Sequence, residues 1–211
     1  MGLFQKKETP VIKQSYTIGN QDTALIVGLG NFGDDYAGTR HNFGFMCIDD
    51  FALKNDFAPW VEKKDLRAWL CAKVMNGKKV ILCKPTTYMN LSGEAVLLVK
   101  NFYKLKNPSI AVVYDELDLP FGTIRTAVGG SSAGHNGVKS LVKHTEDAFW
   151  RLRVGVGPKT PEAMETSAYV LQKFSKGEQG KLPVMYTEVG SMLHDYLASS
   201  GIPTPETRTV F

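Results

Sequence analysis

The stretch from Ala24 to Phe45, Ala-Leu-Ile-Val-Gly-Leu-Gly-Asn-Phe-Gly-Asp-Asp-Tyr-Ala-Gly-Thr-Arg-His-Asn-Phe-Gly-Phe, restricts the folds open to this chain more than any other. Ala24 to Val27 is an apolar run that ends in glycines with Asn31 among them. A polar turn then carries Arg40-His41-Asn42 to a second apolar segment. This pattern predicts a strand running into a loop that bears function. Nothing around His41 supplies the periodic apolar face that buries a packing histidine, so His41 is the first candidate for chemistry.

The rest of the chain alternates strand and helix signals. Phe43 to Phe57 has near-helical apolar spacing, with Asp49-Asp50 expected to face solvent. Ala68–Val74 and Lys79–Cys83 flank Asn76-Gly77, the strongest short hairpin signal present. Pro85 ends that pair. Asn90 or Ser92 is the expected cap of a helix over Gly93–Tyr103. Ile110–Tyr114 reads as a compact buried strand ending in the acidic run Asp115 to Pro120. Thr123–Val128 and Arg151–Val156 read as further strands. Between them the glycine-rich loop 129–137 opens a helix over Val138–Lys143. Helices are predicted from Pro161 to Leu171 and from Lys181 to Ser199. Strands alternating with helices, with one hairpin inserted, predict an α/β fold: a single three-layer domain with a twisted mixed β-sheet flanked by helices.

With 211 residues, of which 43% are apolar and 22% charged, one domain over residues 22–211 accounts for the chain. Residues 1–21 show no sustained period and read as a flexible extension. No apolar run approaches the roughly 20 residues of a membrane span, and a secretory signal is lacking, so a cytoplasmic protein without membrane contact is expected. Cys47, Cys71 and Cys83 sit in apolar segments without metal-ligand spacing and read as reduced core thiols. A net charge of +4 is too small for a dedicated nucleic-acid binder but allows one basic face, to which Arg125, Lys139, Lys143 and Arg153 are candidates.

Gly28-Leu-Gly-Asn-Phe-Gly33 matches the dinucleotide fingerprint, yet Asp34-Asp35 would set two anions where the pyrophosphate should meet a helix start. A nucleotide cofactor is therefore disfavoured. His41 and Asp115 suit a base and the carboxylate that orients it, and with no nucleophile elbow and buried cysteines the attacking group is expected to be water. Asn31, Asn90 and Asn136 lie in loops that can converge, offering amide donors to a substrate or a developing oxyanion, or serving only as turn residues. His135 could contact substrate or cap the helix that follows it.

Several motifs in order resemble the bacterial-type peptidyl-tRNA hydrolase family: Val27-Gly-Leu-Gly-Asn-Phe-Gly33 with Tyr36, Thr39-Arg-His-Asn-Phe-Gly-Phe45, Lys84-Pro-Thr-Thr-Tyr-Met-Asn-Leu-Ser-Gly93, Asp115-Glu-Leu-Asp-Leu-Pro120, Gly129 to Ser140, and Arg151-Leu-Arg-Val-Gly-Val-Gly157. Tyr169-Val-Leu-Gln-Lys-Phe174 is similar to the family's lid-flanking segment. The resemblance implies hydrolysis of the ester joining a peptide to the 3′-terminal ribose of tRNA, without metal or cofactor, by a monomer. His41 would activate water and Asp115 would orient it. Asn31, Met89, Asn90 and Asn136 would line the channel for the peptide and the CCA end, with Tyr36 and His135 near the ester. Arg125 and Arg153 would meet acceptor-stem phosphates. The family's usual Pro and Gly are replaced here by Phe32 and Ala133; the second would be strained if its φ were positive.

Overall fold

The computed structural model describes residues 22–159 and 161–211, so the extension expected over residues 1–21 lies outside the described residues. In chain order the elements are β1 (Thr23–Gly28), α1 (Phe43–Lys54), β2 (Val61–Lys63), β3 (Ala68–Met75), β4 (Lys78–Pro85), α2 (Ser92–Phe102), β5 (Ile110–Pro120) and β6 (Thr123–Val128). They continue with α3 (Asn136–Thr145), β7 (Trp150–Gly157), α4 (Thr166–Val170), α5 (Lys176–Gln179), α6 (Leu182–Ala198) and β8 (Thr207–Thr209). One mixed sheet runs β2-β3-β4-β1-β5-β7-β6-β8. Its central strands β4, β1, β5 and β7 are parallel, and each flank is antiparallel.

Both faces of the central strands are covered, which is why their sequences read as continuous apolar runs. Ala24, Ile26, Val113 and Leu152 point to the layer of α1 and α6, while Leu25, Val27, Val112 and Tyr114 point to that of α2 and α3. The expected three-layer α/β domain is therefore observed. Helix α6 buries Leu182, Met185, Val189, Met192, Leu193 and Tyr196, the stripe of an amphipathic helix laid on a sheet. The β3–β4 hairpin turns at Asn76 and Gly77, both at positive φ (50° and 78°), as the dipeptide predicts. All three cysteines are buried and free, and burial, with Asp49 adding to it against Lys84, pushes the Cys71 thiol up to about 12.

Four local expectations need correction. Strand β5 does not stop at Tyr114 but runs through the acidic stretch to Pro120, with a register shift against β7 between Glu116 and Pro120. Its buried carboxylates are tolerated because Arg153 meets Glu116 and two histidines meet Asp115. Helix α2 begins at Ser92 without a side-chain cap. A 3-10 turn over Met89–Leu91 feeds it instead, and the Ser140 hydroxyl accepts the Gly93 N–H. Helix α3 starts two residues before Val138, because His135 caps it. Of the helix expected from Pro161 to Leu171, only Thr166–Val170 is helical.

Candidate active site

The site lies beyond the end of β1 and over the middle of β5, where Asp115 sits. After β1 the chain makes two 3-10 turns, Asp34–Tyr36 and Arg40–Asn42, and enters α1. The glycine fingerprint thus does not open a helix, in keeping with the disfavoured cofactor reading. The start of α1 lies hard against the sheet: a Cβ on Gly44 would come within 2.3 Å of the Val113 carbonyl oxygen and 2.5 Å of the Leu29 nitrogen. That close approach sets His41, three residues earlier, over Asp115, two residues after Val113.

Asp115 is buried and serves both histidines. Its Oδ2 is 3.0 Å from His41 Nδ1, and its Oδ1 is 3.1 Å from the same nitrogen and 3.0 Å from His135 Nε2. His135 Nδ1 accepts the Val138 N–H at 3.3 Å, so its proton sits on Nε2 and is donated to Asp115. His41 Nδ1 likewise donates to the carboxylate, leaving the Nε2 lone pair free to take a proton. Burial pulls His41 toward its neutral form, but the charge and hydrogen bond of Asp115 outweigh it, and the pKa lies above the ordinary 6.5. For Asp115 burial favours protonation, yet the two histidines more than offset this and hold it well below the usual carboxylate range. The three groups also converge within 4.8 Å, a spacing a metal ion can use. The Val138 bond, however, fixes a proton on the His135 nitrogen that such an ion would need.

Asn42 clamps the backbone of Asn31 from both sides: its Oδ1 accepts the Asn31 N–H at 2.8 Å and its Nδ2 donates to the Asn31 carbonyl at 2.9 Å. The Asn31 Oδ1 accepts the Met89 N–H at 2.8 Å. This leaves the Asn31 Nδ2 as a donor with no partner among the described residues. Asn90, beside buried Met89, and Asn136, first residue of α3, are both exposed. Tyr36 stands edge-on to Tyr88, ring centroids 6.4 Å apart. Ala133 adopts φ 45°, in the left-handed region that favours glycine, so the anticipated strain is present in the loop before His135.

Arg125 and Arg153 are register partners across β6 and β7, so both side chains leave the face on which α3 packs. Arg125 is exposed and donates to the Thr207 hydroxyl at 3.0 Å, whereas Arg153 is committed to buried Glu116 at 2.9–3.0 Å. Arg40, next to His41, is buried: its Nη2 donates to both Glu178 carboxylate oxygens at 2.9–3.0 Å, its Nη1 donates to the Lys173 carbonyl at 2.9 Å, and the guanidinium lies 4.4 Å from the Tyr169 ring centroid. Sequence alone singles out Asn31 and not Asn42 or Arg40. Their position beside His41 is the one local signal, and their partners are distant in the chain. Asn31 and Asn42 also line an open groove of about 420 Å³ whose lining does not include His41.

A family model described as Peptidyl-tRNA hydrolase matches residues 25–208. A peptidyl-tRNA hydrolase of Rhizobium leguminosarum bv. trifolii is 45% identical over 159 residues, 75% of this chain and 64% of that protein, so the chain spans just under two thirds of that relative. For a peptidyl-tRNA hydrolase of Gloeobacter violaceus the identity is 46% over 162 residues, 76% of this chain and 81% of that one. The crystal structure of the peptidyl-tRNA hydrolase of Acinetobacter baumannii superposes with a TM-score of 0.72 at 33% identity, covering 87% of this chain and 98% of its own.

Proposed function

This chain belongs to the peptidyl-tRNA hydrolase family, and from that premise we propose that it hydrolyses the ester between a peptide and the 3′-terminal ribose of tRNA, with His41 as general base. The observation that carries the residue assignment is the His41 imidazole held by Asp115 through Nδ1 with Nε2 left free. His41 Nε2 takes a proton from water as the water oxygen bonds to the ester carbonyl carbon. The charge that develops on the carbonyl oxygen is met by the uncommitted Asn31 amide, with Asn90 and Asn136 completing the polar channel. Collapse of the tetrahedral species breaks the bond to the ribose oxygen, which recovers the proton from His41. Asp115 stabilises the imidazolium between these steps, and His135 keeps Asp115 ionised and in place. Met89 lines the channel for the peptide and the CCA end, Tyr36 stands near the ester, and Arg125 and Arg153 face the acceptor stem.

The test is release of N-acetyl-amino acid from its tRNA at neutral pH, with EDTA present. Release is expected from the blocked substrate and not from unblocked aminoacyl-tRNA. His41→Ala is expected to lower kcat at least about 10³-fold while leaving tRNA affinity within about twofold. Binding of tRNA with no turnover in the wild type would show a silent relative and overturn the proposal; loss of turnover on adding EDTA would overturn its metal-free form.

A further inference from the structure

The groove that Asn31 and Asn42 line has walls of a composition that the ester chemistry does not call for. Phe32, Phe45, Trp60 and Trp69 line it, and Lys84 stands among them. Lys84 is not a free cation: its Nζ is 2.6 Å from Asp49 Oδ1 and 4.3 Å from the Trp60 ring centroid. Its charge is thus met from within, and the groove offers aromatic area rather than a site for phosphate. Trp60, Trp69 and Phe45 are half-buried and Phe32 is 49% exposed, so the aromatic surface is open to an occupant. Aromatic side chains gathered in one open groove offer an apolar ligand a contact surface.

The sheet order says which part of the substrate arrives there. His41 and Asp115 stand over β1 and β5 in the middle of the sheet; Arg125 and Arg153 lie to one side, on β6 and β7, and Trp69 and Lys84 to the other, on β3 and β4. With the tRNA on the basic side and the ester at the centre, the peptide leaves toward β4 and β3. Two strand spacings separate β5 from β4, about 10 Å, the length of about three extended residues. Resting on the hydrolase reading above, we propose that the groove binds apolar side chains of the peptide at the second and third residues from the ester. The enzyme then recognises more of its substrate than the ester and the blocked amino group.

Three substrates with the same residue at the ester separate these claims: N-acetyl-aminoacyl-tRNA, and N-acetyl-tripeptidyl-tRNAs with either two phenylalanines or two serines upstream. The wild-type KM is expected to be about fivefold or more lower for the phenylalanine substrate than for the serine one. Trp60→Ala and, independently, exposed Phe32→Ala are expected to erase that difference while leaving KM and kcat for N-acetyl-aminoacyl-tRNA within about twofold. Equal wild-type KM values for the two tripeptidyl substrates overturn the groove proposal and leave the hydrolase reading standing, a result that needs no variant to fold. An equal rise in KM for all three substrates in the variants also overturns it, since the aromatic residues would then be serving the common tRNA end. No turnover on any substrate overturns the hydrolase reading, and the groove proposal with it.

Discussion

Asp115 holds one negative charge between two imidazoles in a buried setting, and its effect on His41 is separable by experiment. As the proposed base, His41 acts in its neutral form, so kcat/KM is expected to rise with pH through the His41 pKa, above 6.5, and then level off. Asp115→Asn keeps the side-chain shape and removes the charge. Burial then acts alone on His41, and the inflection of the pH–rate profile should move below the wild-type value while kcat falls on the order of 10²-fold or more. An unshifted inflection would mean that Asp115 does not set the base. The same pair acts on stability with the opposite sense. A histidine whose folded pKa is raised stabilises fully below its unfolded value and loses that contribution as pH rises through the folded value. On the proposed assignment, activity is therefore expected to be highest where this particular interaction has weakened.

At the scale of elements, Arg40 joins the turn that carries His41 to the segment carrying α4 and α5. The Arg40 N–H donates to the Gln172 carbonyl at 3.0 Å, Thr39 bridges Lys173, and the Arg40 guanidinium is shared between Glu178 and the ring of Tyr169. Burial works against the Glu178 carboxylate, but hydrogen bonds from Ser175 and the charge of Arg40 outweigh it and lower its pKa. Arg40→Ala should cost about 2–4 kcal/mol in a denaturant titration and speed amide exchange over residues 166–179, with kcat falling because His41 loses its neighbour's anchor. Arg40→Lys should recover only part of this, since one ammonium lacks the second nitrogen that reaches the Lys173 carbonyl and the planar face that lies over Tyr169. None of this coupling is visible locally in the sequence, because Glu178 lies 138 residues from Arg40. The same reason hid the length of β5: Asp115 and Glu116 look like the end of a strand until His41, His135 and Arg153 are known to meet them. Where the cause is local the structural reading holds, as at the Asn76-Gly77 turn, the stripe of α6, and the passage from strand β1 into a loop rather than a helix. The three-residue strands β2 and β8 are too short to carry a period and had no signal to find.

For the whole molecule, the arrangement of charge matters more than the modest net +4. Arg125 is free enough to follow a phosphate, whereas Arg153 already neutralises Glu116, which is 3% exposed. The two arginines should therefore fail in different ways. Arg125→Ala is expected to weaken tRNA binding and to reduce the slope of log affinity against log salt by about 1, with kcat at saturation unchanged. Arg153→Ala strands a buried carboxylate and should cost about 3 kcal/mol of folding stability before any effect on tRNA is read. A salt slope unchanged by Arg125→Ala would remove that residue from the tRNA face. A last consequence follows from the two ends of the sheet. Strands β2 and β8, which form its edges among the described residues, are three residues each and carry Glu62, Lys63 and Arg208. A second copy arriving at β2 or β8 finds only three residues of ladder and a fringe of charge, whereas Cys71–Met75 of β3 has no strand partner on its outer side among the described residues, so that stretch, broken by Lys73, is where edge-to-edge pairing is expected to start if the protein is concentrated.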